Sequence, residues 1–299
     1  MKRRTFIGTT IGTSVAAALA GSRPLWAAEG HHIEHIGLQL YTVRDLMKTD
    51  FDGTVAKVAQ VGYKEVEFAG YFGKSPQEVR AILEKDGLTA PSAHFGYDVV
   101  ETKWSETLDA AHAIGHKFVV CPWVEVKQRK EPDGWKRAAD LFNKAGEASQ
   151  KAGIQFAYHN HAFEFEPSET LGGQMPYDFL LANTDPKLVK MEMDLCWITV
   201  GGQDPVKYFN AYPGRFPLVH VKDWTTKGPG GSDYGGATGG VKMKPGHMTD
   251  VGQGDIDWKR IFAQSHKAGI DHYIVENDEP KSAFEDIKIS YDYLAKLTV

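Results

Sequence analysis

Eight times along the chain a short apolar run is followed by a longer amphipathic stretch, and this alternation constrains the fold more than any other feature. "HIGLQLY" (35–41) precedes a helical pattern at 52–61, "KEVEFA" (64–69) precedes 76–86, "LTAPSAH" (88–94) precedes 101–114, and "KFVVCPW" (117–123) precedes 134–152. The second half repeats the scheme: "IQFAYHNH" (154–161) with 177–183, "LVKMEMDL" (188–195) with 204–210, "FPLVHVKD" (216–223) with 257–267, and "HYIVEND" (272–278) with 283–297. Strands that alternate with helices form a parallel sheet, because a parallel pair needs a crossover long enough to hold a helix. Eight such units are expected to close into a single (β/α)8 barrel, for which about 250 residues is usual. Gly62, Gly87, Gly115, Gly153 and Gly269 fall where a helical stretch ends shortly before a strand, the place for a residue that tolerates positive φ. An open doubly wound sheet is the competing arrangement, and no glycine-rich dinucleotide fingerprint follows the first strand to support it.

Residues 1–28 stand apart from this scheme. "MKRRTFIGTTIGTSVAAALAGSRPLWAAEG" carries Lys2, Arg3 and Arg4, then a mildly apolar run, then small residues at Ala27 and Ala28. This is the layout of an export signal, and the paired arginines before Thr5-Phe6-Ile7 resemble the twin-arginine type. The run is broken by Gly8, Gly12 and Gly21, whereas a membrane anchor needs roughly 20 apolar residues. The expected product is a barrel of residues 29–299, carried folded into the periplasm or beyond. Removing the leader takes away four basic and no acidic side chains, which moves the formal charge from −5 to −9. So acidic a chain has no basic footprint for nucleic acid or anionic lipid, and its expected partner is a small molecule; self-association stays open. Cys121 and Cys196 lack zinc-ligand spacing and sit at strand ends, where two buried thiols are expected rather than a disulfide.

The active site of such a barrel lies at the C-terminal ends of its strands. Strand one ends with Gln39 and Tyr41, strand two with Glu67, strand three with His94 and strand four with Trp123. Strand five ends in His159, Asn160 and His161, strand six in Glu192 and Asp194, strand seven in His220, Lys222 and Asp223, and strand eight in Glu276 and Asp278. Polar and ionisable groups so concentrated on one rim are not needed by a core, and burying them without partners is costly. His159, Asp194, His220 and Glu276 form a mixed nitrogen and oxygen set from four consecutive strands. That set suits one borderline divalent ion, Mn, Zn, Co or Fe, better than Ca, which prefers oxygen alone. Each residue taken singly reads equally well as a hydrogen-bonded side chain; together, at one depth, they favour a metal.

"GLQLYTVR", "YHNHAFEF", "MDLCW", "HVKDW", "VGQGDIDW" and "YIVEND" together resemble the xylose-isomerase-like barrel superfamily, the sugar phosphate isomerase/epimerase group, in order along the whole barrel. The resemblance implies a metal held by a carboxylate on strand five and by Asp194, His220 and Glu276. Strand five departs from the pattern: relatives often read "LALENH" where this chain reads "FAYHNH", which puts His159 in the usual carboxylate place. The ketose epimerases of the group use carboxylates on strands five and eight as two bases. An imidazole bound to metal has spent its lone pair, which weakens two-base chemistry here.

The expected reaction is therefore metal-dependent isomerisation or epimerisation by proton transfer next to a sugar carbonyl, through an enediolate. Glu276 is the expected base, with Lys222 or His161 as proton donor or oxyanion partner. Gln39, Glu67, His94 and Asn160 are expected to meet substrate hydroxyls, and Trp123, Trp197 and Trp224 either stack on sugar faces or pack the rim. The glycine-rich segment 224–256 is expected to be a functional loop, with His247 reaching the substrate. An unphosphorylated sugar or keto-sugar suits a periplasmic site. The alternatives are a keto-glycoside lyase or hydratase on the same metal, and a sugar-binding protein without turnover. An abasic-site nuclease is opposed by the acidic charge.

Overall fold

A computed structural model describes residues 32–228 and 245–299. The expected export signal, and much of the expected glycine-rich loop, lie outside the described residues. Eight parallel strands close into a barrel: β1 (Ile36–Gln39), β2 (Glu65–Phe68), β3 (Thr89–His94), β4 (Phe118–Cys121), β5 (Gln155–His159), β6 (Val189–Asp194), β7 (Leu218–Val221) and β8 (His272–Val275). They are paired in sequence order around the ring, with β8 returning to β1. The (β/α)8 expectation therefore holds. The helices fall close to where the apolar periodicity put them, as in Pro76–Asp86, Gly134–Lys151 and Ala283–Leu294. Two expected helices are broken, one into Tyr97–Thr102 and Trp104–Ile114, the other into Trp258–Phe262 and Ser265–Ala268.

Local chemistry fixes the joins. Ser75 caps its helix through the Glu78 amide while Glu78 answers to the Ser75 amide, with Pro76 preset in the first turn. The same helix ends on Gly87 in the left-handed region, φ 66° and ψ 31°.

Period-two alternation divides the side chains of each strand between two environments. Phe156 and Tyr158 of β5, like Val119 and Cys121 of β4, face the helices and belong to the main core, with Phe142, Trp135 and Tyr177. Each such fully buried side chain contributes about 1.5–3 kcal/mol relative to exposure. Inside the barrel, Val120, Ala157 and Leu218 with Phe118 form a small apolar plug of their own. Above the plug the interior turns polar: Gln39, Glu67, Glu192, Asp194, His159 and His220 are all buried. Register sets the levels, with Gln39 opposite Glu67, His159 opposite Glu192, and Asp194 opposite His220.

The segment after β7, read from sequence as one irregular loop, has paired ends: Asp223–Thr225 runs antiparallel to His247–Thr249. Asp223 holds the return. Its carboxylate accepts from the amides of Trp224, Gly252 and Gly254 and from Trp258 Nε1, at 2.9–3.1 Å. A Cβ on Gly254 would run into that carboxylate, which is why "VGQGDIDW" needs its second glycine. Both cysteines are free and buried. No helix among the described residues is long and apolar enough to cross a membrane.

Candidate active site

A cavity of about 420 Å³ opens at the C-terminal end of the barrel. Its wall carries Tyr41, His94, Trp123, His159, His161, Lys222, Glu276 and Asp278, together with the small residues Ala69, Gly96 and Pro122. Of the residues expected to act, Glu276, Lys222 and His161 share this wall, as do His94 and Trp123 of those expected to bind substrate.

The others lie elsewhere, each for a visible reason. Gln39 and Glu67 are buried below the cavity, where Gln39 Nε2 donates to Glu67 Oε1 at 2.7 Å. Asn160 ties two strand ends together: its Oδ1 accepts from the Asp194 amide at 3.1 Å. Trp197 is tucked under the rim because the chain turns at Asp194 straight into the helix Leu195–Val200, with Asp194 as its cap. Trp224 and Met248 face each other across the short hairpin and pack with Trp197 in a separate apolar cluster. His247 stands in the return strand of that hairpin and is not on the cavity wall.

Lys222 is the hub of the upper layer. Its buried ammonium lies 2.7 Å from Glu276 Oε2, 3.1 Å from Asp194 Oδ2 and 3.0 Å from Asp278 Oδ1, with the Trp197 ring 5.5 Å away. Burial alone would lower its pKa, but Asp194, Asp278 and Glu276 outweigh that and hold it well above the ordinary lysine value. The same pairing works in reverse on Glu276. Burial pushes it up, Lys222 and His220 pull it down further, and it stays ionised well below the usual carboxylate range. Asp278 moves the other way, to about 6, because burial and the charge of Glu276 exceed what Lys222 returns.

One layer down, His220 links two carboxylates: Nδ1 to Glu276 Oε2 and Nε2 to Glu67 Oε1, each at 2.7 Å. His94 Nε2 is 2.7 Å from Glu192 Oε2 and 3.0 Å from Glu67 Oε1. Burial would depress His94, yet Glu67 and Glu192 raise it to about 9. Glu192 itself is lifted to about 7 by burial and by the charge of Glu67. His159 and His161 are both held neutral, by burial first and by the surrounding cations second.

Buried Glu67 Oε2, His159 Nδ1, His161 Nδ1 and Glu192 Oε1 make no hydrogen bond among the described residues, and Asp194 Oδ2 has its ion pair with Lys222 at 3.1 Å but no hydrogen bond. So many unmet polar atoms in one place is the signature a bound cation would remove. The donors fall into two groups whose ligand atoms all lie within 4.8 Å of one another: His94, His159, Glu192 and His220, and separately Asp194, His220 and Glu276. The four expected ligands are thus divided between the groups, with His220 common to both. His159 Nε2 lies 3.9 Å from Asp194 Oδ2. The donor set is imidazole and carboxylate, which fits a borderline divalent ion.

Sequence reasoning noted Glu192, Asp278 and Tyr41 at strand ends without giving them a task. The signal for Glu192 was present: it alternates with Asp194 and must share its face. Glu164, just beyond the strand-five end, had no role assigned from sequence. It is buried behind the strand-five end, accepting from Tyr158 Oη at 2.6 Å and from the His161 amide at 2.9 Å, and so sets the turn that presents His161. Burial lifts its carboxyl to about 7 despite those two donors. An acid whose folded pKa exceeds its unfolded value of 4.5 costs stability as it ionises. Stability should therefore fall as pH rises from 4.5 to 7, by about 3 kcal/mol from this group alone. Glu164→Gln should flatten that slope, as read from thermal unfolding midpoints at about pH 5 and pH 7.5. An equal drop in the variant would show that Glu164 is not the group responsible.

Residues 55–297 match the family described as the xylose isomerase-like TIM barrel. The chain belongs to that family. Among curated relatives, an inosose dehydratase of Lacticaseibacillus casei is 24% identical over 253 residues, which are 78% of this chain and 83% of the relative. Among solved structures, a sugar phosphate isomerase/epimerase from Parabacteroides distasonis is 26% identical with a TM-score of 0.72, covering 89% of this chain and 95% of that one. The IolI protein with a bound zinc atom shares the fold at 13% identity, with a TM-score of 0.67 over 88% of this chain and 98% of the other.

Proposed function

We propose that this family member enolises a keto-sugar or related polyol ketone and then expels the substituent one carbon beyond the new enolate, a dehydratase or lyase reaction. The observation that carries this reading is the asymmetry of the cavity wall. Both carboxylates that line it, Glu276 and Asp278, come from the strand-eight end, and the wall's three imidazoles, His94, His159 and His161, come from strands three and five. A single base beside the neutral imidazoles of His159 and His161 and the raised imidazole of His94 serves deprotonation followed by departure of a leaving group. It serves two-base inversion poorly. The curated relatives named inosose dehydratase support the same choice.

Glu276, held ionised, takes the proton from the carbon next to the carbonyl. Lys222 keeps Glu276 in place through their 2.7 Å contact and faces the cavity, where its ammonium can meet the developing oxyanion. His161, neutral and on the wall, can donate a hydrogen bond to the departing oxygen, and the proton that leaves with that oxygen is the one Glu276 has taken up. A divalent ion, when bound, polarises the carbonyl; His159 and His220, with carboxylate from strand six, would hold it. The cations on the described wall, Lys222 and the raised His94, are both committed to carboxylates, which suits an unphosphorylated substrate. With the leader read as an export signal, this chemistry takes place outside the cytoplasm.

The test is incubation with inosose and with 3-keto-glycosides in deuterated water. The expected result is deuterium entering next to the carbonyl together with an unsaturated product or a freed aglycone. Deuterium uptake with only an isomeric ketose formed would instead establish an isomerase or epimerase, the reading favoured by the Parabacteroides distasonis neighbour. Binding without exchange would leave a sugar-binding protein.

A further inference from the structure

The cavity wall has two halves of different chemistry. The ends of strands five to eight give it ionisable groups: His159, His161, Lys222, Glu276 and Asp278. The ends of strands one to four give it Tyr41, Ala69, Gly96, Pro122 and Trp123. His94 is the single ionisable group that this second half contributes among the described residues, and it is bound to Glu67 and Glu192 at 3.0 and 2.7 Å. A ring hydroxylated at every carbon would match the first half and leave the second without a use.

Tyr41 is the fixed part of that second half. It stands at the lip, 42% exposed, with the guanidinium of Arg44 4.0 Å over its ring. Arg44 is itself held, donating to the carbonyls of Tyr41 at 2.8 Å and Asp278 at 3.0 Å. It lines a neighbouring hollow of about 460 Å³ and not the cavity, so it backs the ring from outside and leaves the other face to the cavity. A ring so held is a platform set before anything binds.

We propose that the open face of Tyr41 receives an aromatic ring carried by the departing group, so that the substrate is a keto-glycoside of a phenol. This rests on the elimination reading and narrows its substrate.

The guanidinium decides the kind of ring. A cation on one face draws on the π density, so the opposite face becomes a poorer partner for the polarised C–H bonds of a second sugar. It becomes a better one for an offset, electron-rich arene. Trp123 differs, since its Nε1 donates to the Glu125 carboxylate at 2.8 Å and Arg129 lies farther off, at 5.7 Å. Its indole suits the sugar being enolised. Tyr41 is also on the side of departure, because Arg44 ties it to the carbonyl of Asp278, two residues beyond Glu276. In the step itself the bond to the glycosidic oxygen breaks and its electron pair stays with the oxygen. That oxygen takes the proton Glu276 removed, so a phenol leaves and the sugar keeps a carbon–carbon double bond beside its ketone. Nothing is oxidised or reduced overall, and a phenol, which ionises near about pH 10, departs more readily than hydroxide.

The experiment uses the barrel after leader removal, loaded with Mn²⁺, and compares the 3-keto-glucosides of 4-methylumbelliferone and of methanol. A phenol is the better leaving group in any site, so the readout is how the aryl-to-methyl ratio of kcat/KM changes between proteins. Tyr41→Leu keeps bulk and loses the π face, and should lower that ratio about tenfold; Tyr41→Phe should hold it within about twofold. Binding of free 4-methylumbelliferone, followed by its fluorescence, needs no turnover and should weaken about tenfold in Tyr41→Leu. Circular dichroism checks each fold. An unchanged ratio and unchanged binding in Tyr41→Leu would overturn the platform. Faster turnover of inosose than of the aryl glycoside would overturn the substrate and leave the elimination reading standing. No turnover of any of these, with 4-methylumbelliferone bound through Tyr41, would keep the aromatic platform and overturn the elimination.

Discussion

Replacing Lys222 by methionine should lower the thermal midpoint of the metal-free protein by on the order of 10 °C. The ammonium is buried against Asp194, Glu276 and Asp278 at 2.7–3.1 Å, and among the described residues nothing else of positive charge is paired with the first and last of these carboxylates at such distances. Methionine keeps the length of the stem over the Trp197 ring and removes only the charge. Breaking a buried ion pair by taking away one partner costs about 3–5 kcal/mol, because the other charge is left without compensation. In a domain of this size each kcal/mol moves the midpoint by about 2–4 °C. Unfolding followed by circular dichroism in chelator gives the number, and a shift of less than about 3 °C would mean that Lys222 does not offset these charges. The variant should also respond to divalent ions more strongly than the parent, since its upper carboxylates then lack a cation. Equal midpoint gains in both proteins would count against that account.

Why the barrel was legible and the site only partly so follows from the distances along the chain that each required. A strand such as "KFVVCPW" or a helix such as 76–86 declares itself within one window, through apolar period, capping serine and terminal glycine. Closure then places every strand end on one rim, so a roster of rim residues could be written down before any geometry. The pairings across the rim were another matter. His94 meets Glu192 over 98 residues, and His220 meets Glu67 over 153. Nothing local says that strand three leans toward strand six. Depth was the second obstacle. Glu67 and Lys222 both read as mouth residues, yet Glu67 lies below the cavity with His220 and His94 on its Oε1, while Lys222 reaches the wall. Trp197 and Trp224 show the third. An indole just past a strand end reads as a stacking platform, but its direction depends on whether the chain turns into a helix or a hairpin, and both turns here fold the ring inward. Asp223 and its glycines make the same point from the other side, since "VGQGDIDW" is built around a carboxylate some 30 residues upstream.

Glu276→Gln should lower kcat for the proposed elimination by 10²- to 10⁴-fold, the span of general-base contributions, while KM changes little. Glutamine preserves the shape of the side chain and can still accept from Lys222 or His220, so the fold and the cavity wall are kept and the basic oxygen is not. The informative comparison is between two rates in the same variant: deuterium exchange next to the carbonyl, and release of the product. If Glu276 is the base, both fall together, because the proton must leave before the substituent can. If exchange persists while product release falls, another group removes the proton and Glu276 serves the later step. Asp278 would then be the first candidate, since it lines the same wall and its carboxyl is lifted to about 6, nearer the range of an effective base. Asp278→Asn closes the argument: it should slow both rates less than Glu276→Gln does, and the reverse order would transfer the base to Asp278.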